Sequence, residues 1–215
     1  MHKYENISAP VIKRLPRYYR FLGELLDNGV TRISSRELSD KMGSTASQIR
    51  QDLNCFGGFG QQGYGYSVQG LYNEIGKILG LDHSYSAVLI GAGNLGKAVA
   101  THMSFEKRGF RLIGIFDNDP EKTGTVIRGL TVLDFNTIEE FCSINKTDVA
   151  ILCVPKTAAP AVAEKLYSLG IKNYWNFSHY DLSFKYNDII VENVHLNDSL
   201  MILCYKITDA NELPY

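Results

Sequence analysis

The segment Ala87-Val88-Leu89-Ile90-Gly91-Ala92-Gly93-Asn94-Leu95-Gly96-Lys97-Ala98 constrains this chain more than any other. Four apolar residues run straight into G-x-G-x-x-G, and the pattern beyond is helical. A strand that turns into a helix over three such glycines fits a phosphate-binding turn. Gly91 allows the tight bend, Gly93 leaves room for a diphosphate to approach the backbone, and Gly96 lets the helix lie close to the strand. The helix start adds unpaired N–H groups and partial positive charge. Gly91, Ala92, Gly93, Asn94, Leu95 and Gly96 are therefore the candidate cradle of a dinucleotide-binding βαβ unit.

The sequence around this motif agrees with it. Apolar runs at 111–116, 148–154 and 173–177, with weaker ones at 131–133 and 189–191, alternate with helical segments around 94–104, 137–143 and 158–169. That alternation predicts a parallel sheet. The run at 111–116 ends at Asp117, 21 residues past Gly96. A carboxylate there accepts hydrogen bonds from ribose hydroxyls and repels a 2′-phosphate, which favours NAD(H) over NADP(H). The alternative is that Asp117 simply begins the turn Asp117-Asn118-Asp119-Pro120. Ligands of open α/β sheets lie at the carboxyl ends of strands, so Val154, Pro155, Asn176 and Phe177 are candidates for the nicotinamide side.

The first 80 residues have a different texture. Leu15, Tyr19, Leu22 and Leu26 recur at helical spacing, which leaves Lys13, Arg17 and Arg20 on the opposite face. Ser34-Ser35-Arg36-Glu37 and Thr45-Ala46-Ser47-Gln48 have the spacing of capping boxes, with Met42-Gly43-Ser44 as a turn between them. Two capped helices joined this way form a helix-turn-helix pattern. In the second helix Ala46, Ile49, Leu53 and Phe56 should face inward. Thr45, Ala46, Ser47, Gln48, Arg50, Gln51 and Asn54, at or near its N-terminus and outer face, suit base edges and phosphates in a major groove. Residues 57–66 hold five glycines interleaved with aromatics, which reads as a β-hairpin wing or, alternatively, a flexible linker. Gln61, Gln62 and Tyr64 would lie along the DNA from that wing.

Composition neither announces nor forbids such a reader. The net charge is −1, but residues 1–80 hold 10 basic and 7 acidic side chains while residues 81–215 hold 12 and 16. A mildly basic segment is joined to an acidic one. Cys55, Cys142, Cys153 and Cys204 are scattered, which predicts small buried side chains in a reducing cytoplasm rather than a zinc site or disulfides. No signal peptide or membrane span is expected. Residues 81–215 are nearly consumed by the nucleotide unit, and His102, His179 and His195 stand in no catalytic motif. A sensor therefore reads better than a catalyst. The alternatives are a small NAD-dependent oxidoreductase with a helical N-terminal domain, and a winged-helix protein that holds a different nucleotide or coenzyme A.

The combination resembles the Rex family of redox-sensing transcriptional repressors. The likeness runs through Arg14-Leu15-Pro16-Arg17-Tyr18-Tyr19-Arg20, Ser34-Ser35-Arg36-Glu37-Leu38, Gln48-Ile49-Arg50-Gln51-Asp52-Leu53, the glycine-rich segment from Phe56 to Tyr66, the cradle, Lys107-Arg108-Gly109-Phe110, Phe116-Asp117, Val154-Pro155 and Glu192-Asn193-Val194. It implies an α/β chain with a winged-helix DNA-binding domain over 1–80 and a Rossmann NAD(H)-binding and dimerisation domain over 81–215. It also implies a homodimer that binds an inverted-repeat operator and is released by NADH; the residues themselves call for no catalytic group, no metal and no membrane partner. The family's C-terminal helix, here 196–211, swaps between subunits and lies between the partner's two domains. Asp198 to Ile207 is apolar almost all round, which independently asks for burial on several sides, although a mixed tail within its own domain is the alternative. Two departures stand out. His102 and His195 replace the family's usual Tyr and Asp, which implies coupling through other contacts, with a pH sensitivity near ~6.5.

Overall fold

The computed structural model describes residues 7–55, 60–61 and 65–212. They fall into two compact units, divided between His83 and Ser84.

In the first unit, α1 (Ala9–Asp27), β1 (Arg32–Ile33), α2 (Ser35–Met42) and α3 (Ala46–Asn54) are followed by β2 (Gly60–Gln61), β3 (Gly65–Ser67) and α4 (Val68–Ile78). β3 pairs antiparallel with both β1 and β2, giving a small sheet in the order β1-β3-β2. This is a winged helix. The expected hairpin forms from β2 and β3; Phe56, Gln62 and Tyr64 lie outside the described residues. Leu15, Tyr18 and Leu22 of α1 are buried with Leu38, Ile49, Leu53, Leu71 and Ile75. Tyr18, rather than Tyr19, is the fully buried aromatic of α1, while Tyr19 is half-buried and stacks on Tyr72 at 4.2 Å between ring centroids.

Tyr18 is drawn inward by a buried carboxylate. Asp52 is 1% exposed and accepts four hydrogen bonds: from Arg14 Nε and Nη2, both at 2.7 Å, from Tyr18 Oη at 2.8 Å and from Gln48 Nε2 at 2.8 Å. A buried charge is tolerable only when paired and hydrogen-bonded. The network fastens α3 to α1. It also corrects one of the two capping-box expectations. The box at Ser34 is complete, with Ser34 Oγ and the Glu37 carboxylate each accepting the other's backbone N–H. The box at Thr45 is half-built, because Thr45 Oγ1 accepts from Gln48 N–H while the Gln48 side chain turns to Asp52.

The second unit is a seven-stranded sheet in the order β10-β9-β8-β4-β5-β7-β6. Its elements are β4 (Tyr85–Ile90), α5 (Asn94–His102), β5 (Phe110–Asp117), β6 (Val126–Ile127), β7 (Leu130–Asp134), α6 (Ile138–Ile144), β8 (Val149–Leu152), α7 (Ala159–Ser168), β9 (Asn173–Asn176), β10 (Ile190–Asn193) and α8 (Leu196–Glu212). All neighbours are parallel except β6 and β7, an unexpected hairpin turned through Arg128 and Gly129 at φ 51° and 76°. Alternate residues of β4 serve opposite faces. Ala87 and Leu89 pack with Val99 and Ala100 of α5, whereas Val88 and Ile90 pack with Ile138 of α6 and Leu166 of α7. β4 lies between β5 and β8, so the connections on its two sides run opposite ways and open a crevice at its carboxyl end.

Two expectations about burial fail within this single chain. Leu200, Met201, Ile202, Leu203, Tyr205 and Ile207 of α8 are 50 to 69% exposed. Cys55 and Cys204 are exposed, and only Cys142 and Cys153 are partly enclosed. No described helix is long and apolar enough to cross a membrane.

Asp52→Ala should destabilise the first unit by ~3 kcal/mol, because a buried ion pair loses one partner. Burial alone would raise the Asp52 pKa, but hydrogen bonds from Arg14, Tyr18 and Gln48 outweigh it and hold the carboxyl below its ordinary value. The stabilisation is therefore complete above about pH 4 and fades as pH falls through the depressed value. Urea titrations of both proteins between pH 7 and pH 2.5 would show the gap closing in acid.

Candidate nucleotide cleft and nucleic-acid interface

The glycine turn is shaped by close contacts. Gly91 has φ +99°, and a Cβ there would lie 2.5 Å from the Cys153 carbonyl oxygen. A Cβ on residue 96 would lie 1.8 Å from the Gly91 carbonyl oxygen. Helix α5 can approach β4 this closely only without a side chain at 96. Gly93 differs: nothing stands within 4 Å of where its Cβ would be. The three glycines thus serve a bend, an open approach and a helix–strand contact.

Asp117 closes the structure from the neighbouring strand. It is 6% exposed. Its Oδ2 accepts from Ala92 N–H at 2.6 Å, and its Oδ1 accepts from Asp119 N–H at 2.9 Å. Asp117 thus starts the turn and also lines the cleft. Lys122 Nζ lies 3.5 Å from Asp117 Oδ2 and 3.1 Å from Asp119 Oδ2.

A cleft of about 500 Å³ opens at the carboxyl ends of β4, β5 and β8. Gly91, Gly93, Asn94, Leu95, Asp117, Val154, Pro155 and Phe177 line it, as their positions suggested. Ala92 and Gly96 do not line it. Asn176 does not line it either. It is buried, its amide donates to the Tyr180 carbonyl and to Asn193, and its oxygen accepts from Ser178. Those bonds hold the loop after β9 to β10, so Asn176 positions Phe177 from behind. Lys122, Phe135, Cys153, Ala158 and Val162 also line the cleft. Lys122 was legible in principle, five residues beyond Asp117 in an acidic turn. The Cys153 thiol is pushed up to about 12 by burial, which keeps it protonated and poorly nucleophilic.

On the first unit, Thr45, Ser47, Arg50, Gln51 and Asn54 are exposed along α3, and Lys13, Arg17 and Arg20 are exposed along α1. Ala46 is half-buried, and the Thr45 hydroxyl already caps the helix. Gln48 departs most from expectation, since its amide N–H₂ is committed to Asp52. Arg50 Nη1 donates to Ser35 Oγ at 3.2 Å, which steadies an exposed guanidinium. Gln61 falls in β2. His195 Nδ1 lies 3.2 Å from His179 Nδ1, the two exposed rings are stacked, and His179 has φ +58°. His102 is exposed at the end of α5.

Comparison with known proteins adds the following. A family model described as "Putative DNA-binding protein N-terminus" matches residues 6–54, and one described as "CoA binding domain" matches residues 82–180. The chain is 57% identical over 209 residues to the redox-sensing transcriptional repressor Rex of Thermoanaerobacter pseudethanolicus, covering 97% of this chain and 93% of that protein. It is 55% identical over 206 residues to the protein of the same name from Clostridioides difficile, covering 96% and 98%. Among solved structures, RSP in complex with β-NAD⁺ and operator DNA superposes with a TM-score of 0.86 at 57% identity, covering 95% and 94% of the two chains. RSP in complex with β-NADH gives 0.87 at 53% identity, covering 96% of each.

The contrast between two glycines is testable without any ligand. Gly96→Ala should cost at least ~1–3 kcal/mol, the scale of a forced overpacking, because α5 must leave β4. Gly93→Ala should unfold within about 0.5 kcal/mol of the parent protein, as open sites do. Thermal denaturation of the pair decides the matter.

Proposed function

This chain belongs to the Rex family of redox-sensing transcriptional repressors, and from that premise we propose how its two units divide the work. The protein is a DNA-binding repressor, not an enzyme, and it senses redox state through NAD(H). The observation that carries the cofactor reading is the open space at Gly93, set at the bare N-terminus of α5 with Asp117 beside it. The diphosphate lies over Gly91–Gly96, the adenosine ribose meets Asp117, and Val154, Pro155 and Phe177 border the nicotinamide. Helix N-terminal N–H groups and the dipole stabilise the diphosphate charge.

The reading unit works as one of a pair. Arg50, Ser47, Gln51 and Asn54 meet base edges and nearby phosphates. Lys13, Arg17 and Arg20 supply phosphate contacts, and the wing, with Gln61, Gln62 and Tyr64, adds more. A homodimer sets two α3 helices in successive major grooves about 34–36 Å apart, matching an inverted repeat. NADH favours a dimer state whose helices no longer match that spacing, so the operator is released; a ligand can shift the balance only through its different affinity for the two states. Free cysteines and a DNA partner both fit a cytoplasmic protein.

An exchanged C-terminal helix supports the dimer. Helix α8 follows β10 yet leaves its apolar residues in water. In the same unit, the face of β8, β9 and β10 away from α7 holds an open groove of about 450 Å³ bordered by Phe105, Val149, Ile151, Trp175 and Ile190. An uncovered helix and an uncovered sheet face in one protomer are complementary needs that a second copy meets. Truncation after residue 195 should give a monomer in sedimentation velocity, and a truncated dimer would speak against helix exchange.

The direct test of function is a gel shift on an inverted-repeat probe with NADH and NAD⁺ titrated separately, and coenzyme A as a control. The probe should stay bound in NAD⁺ and be released by NADH. Equal response to both dinucleotides, or release by coenzyme A alone, would overturn the redox reading. No retardation at any cofactor level would overturn the repressor reading.

A further inference from the structure

We propose that Lys122, restrained by Asp119, sets how strictly this cleft excludes a 2′-phosphorylated dinucleotide. The inference rests on the NAD(H) reading of the cleft and concerns one end of it. A lone carboxylate beside the ribose repels a 2′-phosphate. Asp117 is not a lone carboxylate. Each of its oxygens already accepts a backbone N–H, from Ala92 and from Asp119, and the Lys122 ammonium stands 3.5 Å from Oδ2. A phosphate arriving here meets the field of Asp117 diminished by that of Lys122.

Lysine is itself a phosphate binder, a compact charge on a flexible four-carbon stem. Lys122 is 34% exposed on its side chain and lines the cleft with Asp117 and Asn118. What holds it back is Asp119. Asp119 Oδ1 accepts from Glu121 N–H at 3.0 Å, which fixes the carboxylate in the turn, and its Oδ2 takes the Lys122 ammonium at 3.1 Å. Hydrogen bonding to Asp119 raises the Lys122 pKa, while the backbone N–H of Glu121 and then Lys122 hold the Asp119 carboxyl below its ordinary value, so both are charged at neutral pH. Asp119 does not line the cleft. It therefore acts as a positioning residue: it keeps Lys122 parked between two carboxylates, where the ammonium is unavailable to a ribose 2′-phosphate. Loss of the Asp119 charge frees Lys122 to turn to the phosphate; loss of Lys122 leaves Asp117 uncompensated.

The test is isothermal titration of the full-length protein, Asp119→Asn and Lys122→Met with NADH and with NADPH. The readout is the ratio of the two dissociation constants, in which general damage to the cleft cancels. Asp119→Asn should lower the NADPH-to-NADH ratio by about tenfold, the scale of one charge-assisted hydrogen bond gained, and Lys122→Met should raise it. If the parent protein binds NADH and neither variant moves the ratio, the inference is wrong while the cofactor reading stands. A ratio that falls in Lys122→Met also overturns it, and should Asp119→Asn not fold, the Lys122→Met result decides alone. A parent protein that binds neither dinucleotide would sink the cofactor reading and this inference with it.

Discussion

The contact between the Gly91 carbonyl and Gly96 is the constraint on which the nucleotide unit depends. A side chain at 96 would start 1.8 Å from that oxygen, so its absence lets α5 sit against β4. From that one approach the rest follows. The N-terminus of α5 points over the end of β4, Gly93 is left in the open, and the Ala92 N–H turns to Asp117 on β5. The carboxylate that would read the ribose is thus hydrogen-bonded to the loop that would hold the diphosphate. The glycine turn and the Asp117 carboxylate are set by the same few atoms, and neither can shift without the other.

The reading unit depends on a constraint of the opposite kind, a charge where none would be expected. Asp52 lies on the inner face of α3 and is neutralised by Arg14 from α1. Apolar packing specifies that two helices touch; a bidentate ion pair with two further hydrogen bonds specifies how they are rotated. The outward set of α3, from Ser47 to Asn54, is aimed by what the helix does on its buried side. Gln48 shows the cost of reading a helix by exposure alone, since it belongs by position to the outer set and by hydrogen bonding to the inner one.

Incompleteness of the single chain matters as well. α8 and the groove beside β8 to β10 each expose apolar surface that a stable protomer would cover. On the proposed helix exchange, a second copy would cover both surfaces.

Much of this was legible in the residues themselves. The alternation of apolar runs and helical segments determined the βαβ unit, the spacing of Gly91, Gly93, Gly96 and Asp117 determined the cleft, and the Ser34 box determined a helix start, because each rests on local geometry repeated along the chain. The tertiary structure alone decided what depends on residues far apart. Arg14 and Asp52 are 38 positions apart, and no local pattern announces their pairing. Asn176 stands at the end of a strand yet is turned inward by Tyr180 and Asn193. Lys122 gains its meaning from Asp117 and Asp119 only once the turn brings all three charges together. The apolar character of α8 was plain from its residues, but only the fold left it without a cover of its own. Periodicity reports which face of an element is apolar; which partner meets that face is settled by the path of the whole chain.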